Sequence, residues 1–392
     1  MLNFISRPLV RLVDRWLPDP YIFVVILTLV VMIAAMGVEG HSPMAVVQMW
    51  GAGFWELLSF AMQMLLVLVT GYMMASTPLV RRILERLADL AASPGAAILL
   101  VSFVSLTASW INWGFGLVVG ALFAKAIARK VRVDYRLLVA SAYSGFIVWH
   151  GGLAGSVPLA VATAGHPFEG VIGIIPTDRT IFSAYNLFIV IALFITVPLV
   201  NRLMMPRKGE EVFVDPALLA EAEVSDSPGN TPAEKIENSR VLSWLIGAAG
   251  LAFLFQYFAG SGTLTLNVVN FLFLIVAIVL HGTPRRLLAS LNEAVKGGSG
   301  IVIQFPFYAG IMAIMLNSGL AETISVWLTS FASERTFAFW TFMSAGLVNF
   351  FVPSGGGQWA IQAPVILPAA EALGVDAARA AMRTHLANSK DR

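Results

Sequence analysis

Two stretches of this chain place hydrogen-bonding side chains and glycines inside otherwise apolar sequence. One reads Ser109-Trp110-Ile111-Asn112-Trp113-Gly114-Phe115-Gly116; the other reads Asn349-Phe350-Phe351-Val352-Pro353-Ser354-Gly355-Gly356-Gly357-Gln358-Trp359. The chemistry they suit is anion binding without a buried lysine or arginine. A helix that starts just after a glycine-rich break points unpaired N–H groups, carrying partial positive charge, back at that break. Gly114 and Gly116, then Gly355, Gly356 and Gly357, let the backbone come close to a ligand. Neither apolar run contains a charged residue before Lys125 or Glu371, so a small carboxylate fits. Candidate substrate contacts are Asn112, Trp113, Gly114, Phe115 and Gly116 in the first stretch. In the second they are Asn349, Ser354, Gly355, Gly356, Gly357 and Gln358. Thr107 and Ser109 add hydroxyls for substrate or a coupling ion. The plainer reading of these glycines and amides is tight helix packing. A Ser-Gly-Gly-Gly run beside Pro353 and Asn349 favours function.

A third run, Trp149-His150-Gly151-Gly152-Leu153-Ala154-Gly155-Ser156-Val157-Pro158, cannot hold a regular helix throughout. Its carbonyls are suited to a cation or to lining a pocket, so His150, Gly151 and Gly152 join the substrate set and Ser156 the ion or path-lining set. His150 is an intramembrane ionisable group and a candidate for proton coupling. The alternative is a neutral histidine satisfied by one hydrogen bond. Gln63 and Gln304 lie in the middle of apolar helices, where polar residues either line a path or hold helices together.

These residues must be positioned by membrane helices. Hydrophobic residues make up 58% of the chain and charged residues 12%, with mean hydropathy +0.79. Soluble domains carry about 25% charged residues. The class is therefore all-α and polytopic, in contact with a lipid bilayer. The net charge of +2 says little about partners, and no basic patch with interleaved aromatics points to nucleic acid. The absence of cysteine excludes disulfides, thiol catalysis and cysteine-ligated metals. Hydrolase, zinc-protease and phosphate-loop motifs are missing, so no enzyme and no cofactor is expected. No metal ligand set is evident beyond a candidate Na⁺ near the hairpin tips.

The apolar run 95–124 is too long for one crossing and too short for two, since two spans need about 40 residues. Arg81, Arg82 and Arg86 precede it, and Lys125, Arg129, Lys130, Arg132 and Arg136 follow. Basic residues mark the cytoplasmic side, so both ends belong on one face and the run reads as a re-entrant hairpin. The run 337–370 repeats the pattern from the other side. Spans are expected at 21–38, 54–75, 137–164, 181–204, 242–259, 264–280 and 300–316, with a short surface segment at 323–332. Segment 1–18 reads as an amphipathic cytoplasmic helix or a plain basic flank, with the N-terminus cytoplasmic. Residues 19–204 form a first repeat, 205–240 a mobile cytoplasmic linker, 241–382 a second repeat and 383–392 a polar tail. Gln63 precedes Asn112 by 49 residues and Gln304 precedes Asn349 by 45. Inverted repeats with broken helices are the architecture of secondary transporters.

The chain resembles the short-chain fatty acid transporter family, bacterial permeases for acetoacetate, butyrate and related acids. The matching stretches are Arg15-Trp16-Leu17-Pro18-Asp19-Pro20, Ile111-Asn112-Trp113-Gly114-Phe115-Gly116-Leu117-Val118-Val119-Gly120, Gln304-Phe305-Pro306-Phe307-Tyr308-Ala309-Gly310 and Val352-Pro353-Ser354-Gly355-Gly356-Gly357. The resemblance runs from the N-terminus to about Met382. It implies the broader ion-transporter superfamily, with paired hairpins and an elevator-like motion. The expected function is cation-coupled symport, by H⁺ or Na⁺, of small monocarboxylates across the bacterial inner membrane. A homodimer is left open. Rival readings are a carrier of other organic anions from the same superfamily, or an inactive remnant. The family continues with apolar sequence where this chain turns polar at Arg383-Thr384-His385. The first half has two spans after its hairpin and the second none. A truncated, incomplete second repeat is therefore expected, with a second hairpin short of neighbours and poorly packed.

Overall fold

The computed structural model describes residues 18–207, 209–219 and 231–387. Every regular element among them is helical. In chain order they are α1 (Pro20–Gly37), α2 (Pro43–Gly53), α3 (Leu58–Ala75), α4 (Pro78–Ala88), α5 (Pro94–Ile111), α6 (Trp113–Lys130), α7 (Tyr135–Ser144), α8 (Ser156–Val161), α9 (Glu169–Ile172) and α10 (Ala184–Leu203). There follow α11 (Pro232–Glu237), α12 (Arg240–Ala259), α13 (Leu266–His281), α14 (Pro284–Lys296), α15 (Ser299–Asn317), α16 (Leu320–Phe331), α17 (Phe337–Phe351), α18 (Gly355–Ala372) and α19 (Ala377–Ala387). A 3₁₀ stretch, Gly145–Gly151, interrupts the path from α7 to α8. Among the described residues seven helical segments are long and apolar enough to cross a membrane by length and composition, and the protein is a multi-pass membrane protein.

Many starts are written locally. Asp19-Pro20, Ser42-Pro43, Thr77-Pro78, Ser93-Pro94, Thr231-Pro232 and Thr283-Pro284 each put a side-chain acceptor at the N-cap and a proline at the first helical position. The cap takes an orphan N–H, and proline has none to lose there. Two of these signals announce α4 and α14, short amphipathic helices that the search for apolar runs passes over.

The described residues fall into two compact units. One gathers those within Met1–Met62, Ala164–Ile175 and Ser299–Arg392; the other gathers Gln63–Thr163 and Pro176–Gly298. Each unit holds one hairpin. The α5–α6 hairpin carries its own core of Ile98, Val101, Val119, Phe123 and Ile127, extended by Leu138 of α7. In the other unit Phe337, Ile366, Ala369 and Ala380 pack with Leu328.

The repeat is visible in element order. Pro78 and Leu320, Trp113 and Gly355, Lys130 and Ala372, and Tyr135 and Ala377 open or close matching helices. Each pair is 242 residues apart. This register corrects the sequence-based pairing of Asn112 with Asn349. The partner of Asn112 is Ser354, and the partner of Gly114 is Gly356.

Two further expectations change, and one falls outside the described residues. The second half does not end at its hairpin: α19 follows in the position of α7, reaches Ala387, and buries Ala380, Ala381, Met382 and Thr384. The boundary proposed at 383 therefore falls inside a helix. Within the segment read as a linker, the described residues 210–213 dock on the start of α7. Val212 donates its N–H to Asp134 Oδ2 at 2.7 Å, its carbonyl accepts from the Tyr135 N–H at 2.8 Å, and Arg136 donates to the Glu210 carbonyl at 3.0 Å. The Arg132 guanidinium also lies 4.3 Å from the Phe213 ring centre. The amphipathic segment expected at 1–18 lies outside the described residues apart from Pro18.

Candidate functional site

The first break is a single residue. Asn112 has extended backbone, φ −158° and ψ 129°, and serves as C-cap of α5 and N-cap of α6. Its Oδ1 accepts from the Phe115 N–H at 2.9 Å, and its carbonyl accepts from the Gly116 N–H at 2.8 Å. The N–H groups of Trp113 and Gly114, in the first turn of α6, lie outside these two capping bonds. Gly116 sits against Ser109 and Gly120 against Ser105, so the arms run antiparallel, as a hairpin requires. Each arm has 18 residues, or about 27 Å of helix. That is longer than the apolar run alone suggested, because α6 continues through Lys125 and Arg129 to Lys130.

Glycine is demanded where α3 meets this tip. A Cβ on Gly71 would stand 2.5 Å from both Asn112 Oδ1 and the Phe115 nitrogen, and one on Gly114 would stand 2.7 Å from Leu68 Cα. Asn112 is fully buried, and its Nδ2 has no hydrogen-bond partner. The indole N–H groups of Trp110 and Trp113 are also buried without partners. Three orphan donors thus cluster within four residues of chain at the start of α6. Buried polar groups are normally paired, and an unpaired donor costs roughly 1–3 kcal/mol.

The broken stretch after α7 is docked on the same tip. The Leu153 N–H donates to the Trp110 carbonyl at 2.7 Å, and Gly152 lies against that carbonyl. Trp113 is 5.6 Å from Trp149 and 6.5 Å from Phe146 between ring centres, and Trp149 is 3.9 Å from the His150 ring. The structure therefore brings Gly152 against Trp110 and Trp149, the neighbour of His150, against Trp113, whereas Gly151 faces Asn186 and Val190. Asn186 of α10 braces the break by donating to the Gly151 and Ile181 carbonyls at 3.0 and 2.7 Å. Ser156 is buried at the start of α8. Thr107 returns its hydroxyl to the Phe103 carbonyl of its own helix at 2.9 Å. Gln63 is tied to α13: its Nε2 donates to Asn267 Oδ1 and its carbonyl accepts from Asn270 Nδ2, both at 2.9 Å. Those contacts match the helix-joining alternative.

The second tip repeats the cap and differs in its amides. Ser354, also extended, accepts from the Gly357 N–H at 3.3 Å, and its carbonyl accepts from the Gln358 N–H at 2.7 Å. Gly355 and Gly356 lie outside those bonds, as Trp113 and Gly114 do. Here the side chains satisfy one another. Asn349 donates to Gln358 Oε1 at 3.1 Å, and Gln358 Nε2 donates to the Ala345 carbonyl and to Gln362 Oε1, both at 2.7 Å. Gln362, buried one turn below Gln358, was not singled out from sequence. Its spacing of four residues from Gln358 was the available signal. Tyr308 lies against Gly357 and donates to Gln304 Oε1 at 3.1 Å. Phe60 and Phe305 line Gly356. The expectation that this tip is short of neighbours and poorly packed is thus overturned: Gly355 through Pro364 are all buried. Among the described residues no cluster of three or more histidine, aspartate or glutamate side chains offers a metal site.

The comparisons with known proteins agree with this architecture. A family model described as "Short chain fatty acid transporter" matches residues 1–389. The chain belongs to the short-chain fatty acid transporter family. Two relatives, from Escherichia coli K12 and Haemophilus influenzae Rd, each carry the name "Putative short-chain fatty acid transporter". They are 45% and 44% identical, over 97% of this chain and 88% of their own length. Among solved structures, the Alcanivorax borkumensis YdaH transporter, described as having an unusual topology, is similar in fold. Its TM-score is 0.56 at 17% identity, over 94% of this chain and 87% of that one. Family members are transporters, which places the chain outside the enzymes.

Proposed function

We propose that this protein is a secondary carrier for short-chain monocarboxylates, acetoacetate and butyrate among them, driven by a cation gradient across the bacterial inner membrane. The cluster of orphan donors at the first tip carries the reading. Asn112 Nδ2, the Trp110 and Trp113 indoles and the first-turn N–H groups of α6 are all donors. A carboxylate is all acceptor, so the two match without a buried cation. Trp113, Phe146 and Trp149 supply an apolar wall suited to a short acyl chain. The names of the two relatives support the substrate class.

In this reading both hairpins enter the membrane and leave by the face they entered, and Arg81, Arg86, Lys125 and Arg129 hold the base of the first in the cytoplasmic interface. The N-terminus is cytoplasmic. The first tip binds substrate, whereas Asn349, Gln358 and Gln362 spend their hydrogen bonds on holding the second tip together. The test is uptake of radiolabelled butyrate and acetoacetate by proteoliposomes under an imposed pH or Na⁺ gradient. Saturable, gradient-dependent accumulation is expected, and uptake no faster than in protein-free liposomes would refute the proposal.

A further inference from the structure

Several helix starts in this chain are held by an oxygen acceptor just before a proline, as Asp19 accepts from the Tyr21 N–H at 2.8 Å. Where the chain turns into α9, a histidine takes that place. His166 precedes Pro167, and its Nδ1 accepts from the Phe168 N–H at 3.3 Å. This bond fixes the tautomer. Nδ1 presents its lone pair, so the ring proton is on Nε2, which donates to the Gly173 carbonyl at 3.0 Å. The buried ring therefore joins the two ends of α9 and uses both nitrogens to do so.

The turn is packed on the second hairpin. Phe168 is buried, and its ring meets Trp359 of α18 edge to face, 5.7 Å between centres. Trp359 directly follows Gln358, whose amide closes the network at the second tip. The Phe168 carbonyl accepts from the Val171 and Ile172 N–H groups at 3.0 Å, and its own N–H is held by His166. The imidazole thus helps to fix the backbone that aims Phe168 at Trp359.

We infer that His166 makes this loop a pH switch: a proton on Nδ1 displaces the Phe168 N–H, opens the turn and frees Phe168 from Trp359. The proton and the N–H compete for one lone pair, so the two cannot be held together. The Nε2 bond to Gly173 survives protonation, so the switch acts at the Phe168 end. Histidine is the side chain whose ordinary titration falls in the physiological range. The closed turn is at full strength above that range and is lost as pH falls through it. Glu169 is the other titratable group on the turn, and its carboxylate accepts from the Gly165 N–H. The helix packed on Phe168, α18, carries no charged residue before Glu371, and Asp178 and Arg179, the next charged residues along the chain, are exposed. In the topology proposed above the loop faces outside, where the acidity of the medium reaches it directly. The switch is a property of the fold and stands apart from the carrier reading.

Uptake cannot isolate the switch, because the protonation of a short acid itself changes with pH. The test is hydrogen–deuterium exchange of the purified full chain in detergent, followed in peptides spanning residues 166–173, with each rate divided by the intrinsic rate at that pH. An opened turn whose histidine has its ordinary value of about 6.5 gains about tenfold over the closed one between about pH 7.5 and about pH 5.5. Wild-type protection should fall by about that factor. His166→Asn keeps an oxygen that can accept from the N–H two residues on, as asparagine does in turns, and cannot titrate. Its protection should not depend on pH, even if losing the Gly173 bond lowers it throughout. Glu169→Gln removes the other titratable group and should keep the fall. Constant protection in the wild type, an equal fall in His166→Asn, or loss of the fall in Glu169→Gln would overturn the switch.

Discussion

Asn112 does two jobs with one side chain, and substitutions can separate them. Its Oδ1 caps α6 through the Phe115 N–H at 2.9 Å, while its Nδ2 is buried and unpaired. Asn112→Ser keeps a cap, as Ser354 does at the corresponding position of the second hairpin, and removes the orphan donor. Cap for cap, serine and asparagine are nearly equal. Stability should hold or rise slightly, because an unpaired buried donor is gone. A carboxylate that used the donor would lose a charge-assisted hydrogen bond, roughly 1.5–3 kcal/mol, or about 10- to 150-fold in apparent affinity. Asn112→Asp also keeps the capping oxygen beside the helix N-terminus, although its buried carboxylate costs stability unless paired or protonated. Facing an anionic substrate, it should abolish binding. The informative result is thus a folded protein with weak or no uptake, read from butyrate kinetics in proteoliposomes beside thermal unfolding in detergent. Unchanged apparent affinity in both variants would place the carboxylate elsewhere.

Three further outcomes are expected. Because the chain has no native cysteine, single cysteines at Ser93 and Arg132, the two ends of the first hairpin, should both resist an impermeant thiol reagent added outside cells and both react in inverted vesicles; reaction of one from each side would mean a net crossing between them and would remove the hairpin. Gly357→Ala presses a methyl group against the Tyr308 ring, 3.0 Å from Cζ, and should destabilise the unit by about 1–3 kcal/mol, seen as a lower unfolding midpoint; an unchanged midpoint would show that the second tip is loosely held. Burial alone would raise the Asp134 carboxyl, but the Val212 and Leu137 amides and Arg136 outweigh it and hold its pKa below the ordinary value. Its contribution is therefore complete above the usual aspartate range and lost as pH falls through the lowered value, so protection of the Val212 amide in hydrogen exchange should drop on acidification, and Asp134→Ala should remove it at neutral pH.

How much of this was legible in the sequence depends on how local the cause is. The single-residue break at Asn112 follows from a short polar side chain able to cap the helix it starts, with glycines behind it, and Ser354 acts alike. Proline after serine, threonine or aspartate marks many of the helix starts. The interruption after Ser144 follows from Gly145, Gly151 and Gly152. All of these depend on neighbours within a few residues, and sequence lays those neighbours side by side. The short amphipathic α4 and α14 were passed over because their Thr-Pro starts were outweighed by the search for long apolar runs. The repeat pairing slipped from Ser354 to Asn349 because matching residue type is weaker evidence than matching helix ends.

Only the tertiary structure decided which polar groups are already occupied. Gln63 reads equally as path-lining or helix-joining in sequence, and Asn267, 204 residues away, accepts from its amide in the fold. Asn349 and Gln358 had the composition of a ligand site, yet Ala345 and Gln362 complete a closed network around them. Asn112, Trp110, Ser105 and Ser141 look no different in sequence, and their hydrogen-bonding atoms were left unpaired by the packing of α3, α5, α6 and α7. Whether a buried hydroxyl or amide is structural or available is a property of its surroundings. Those surroundings are assembled from segments distant in the chain, so composition and spacing supply the candidates and only the packed helices choose among them.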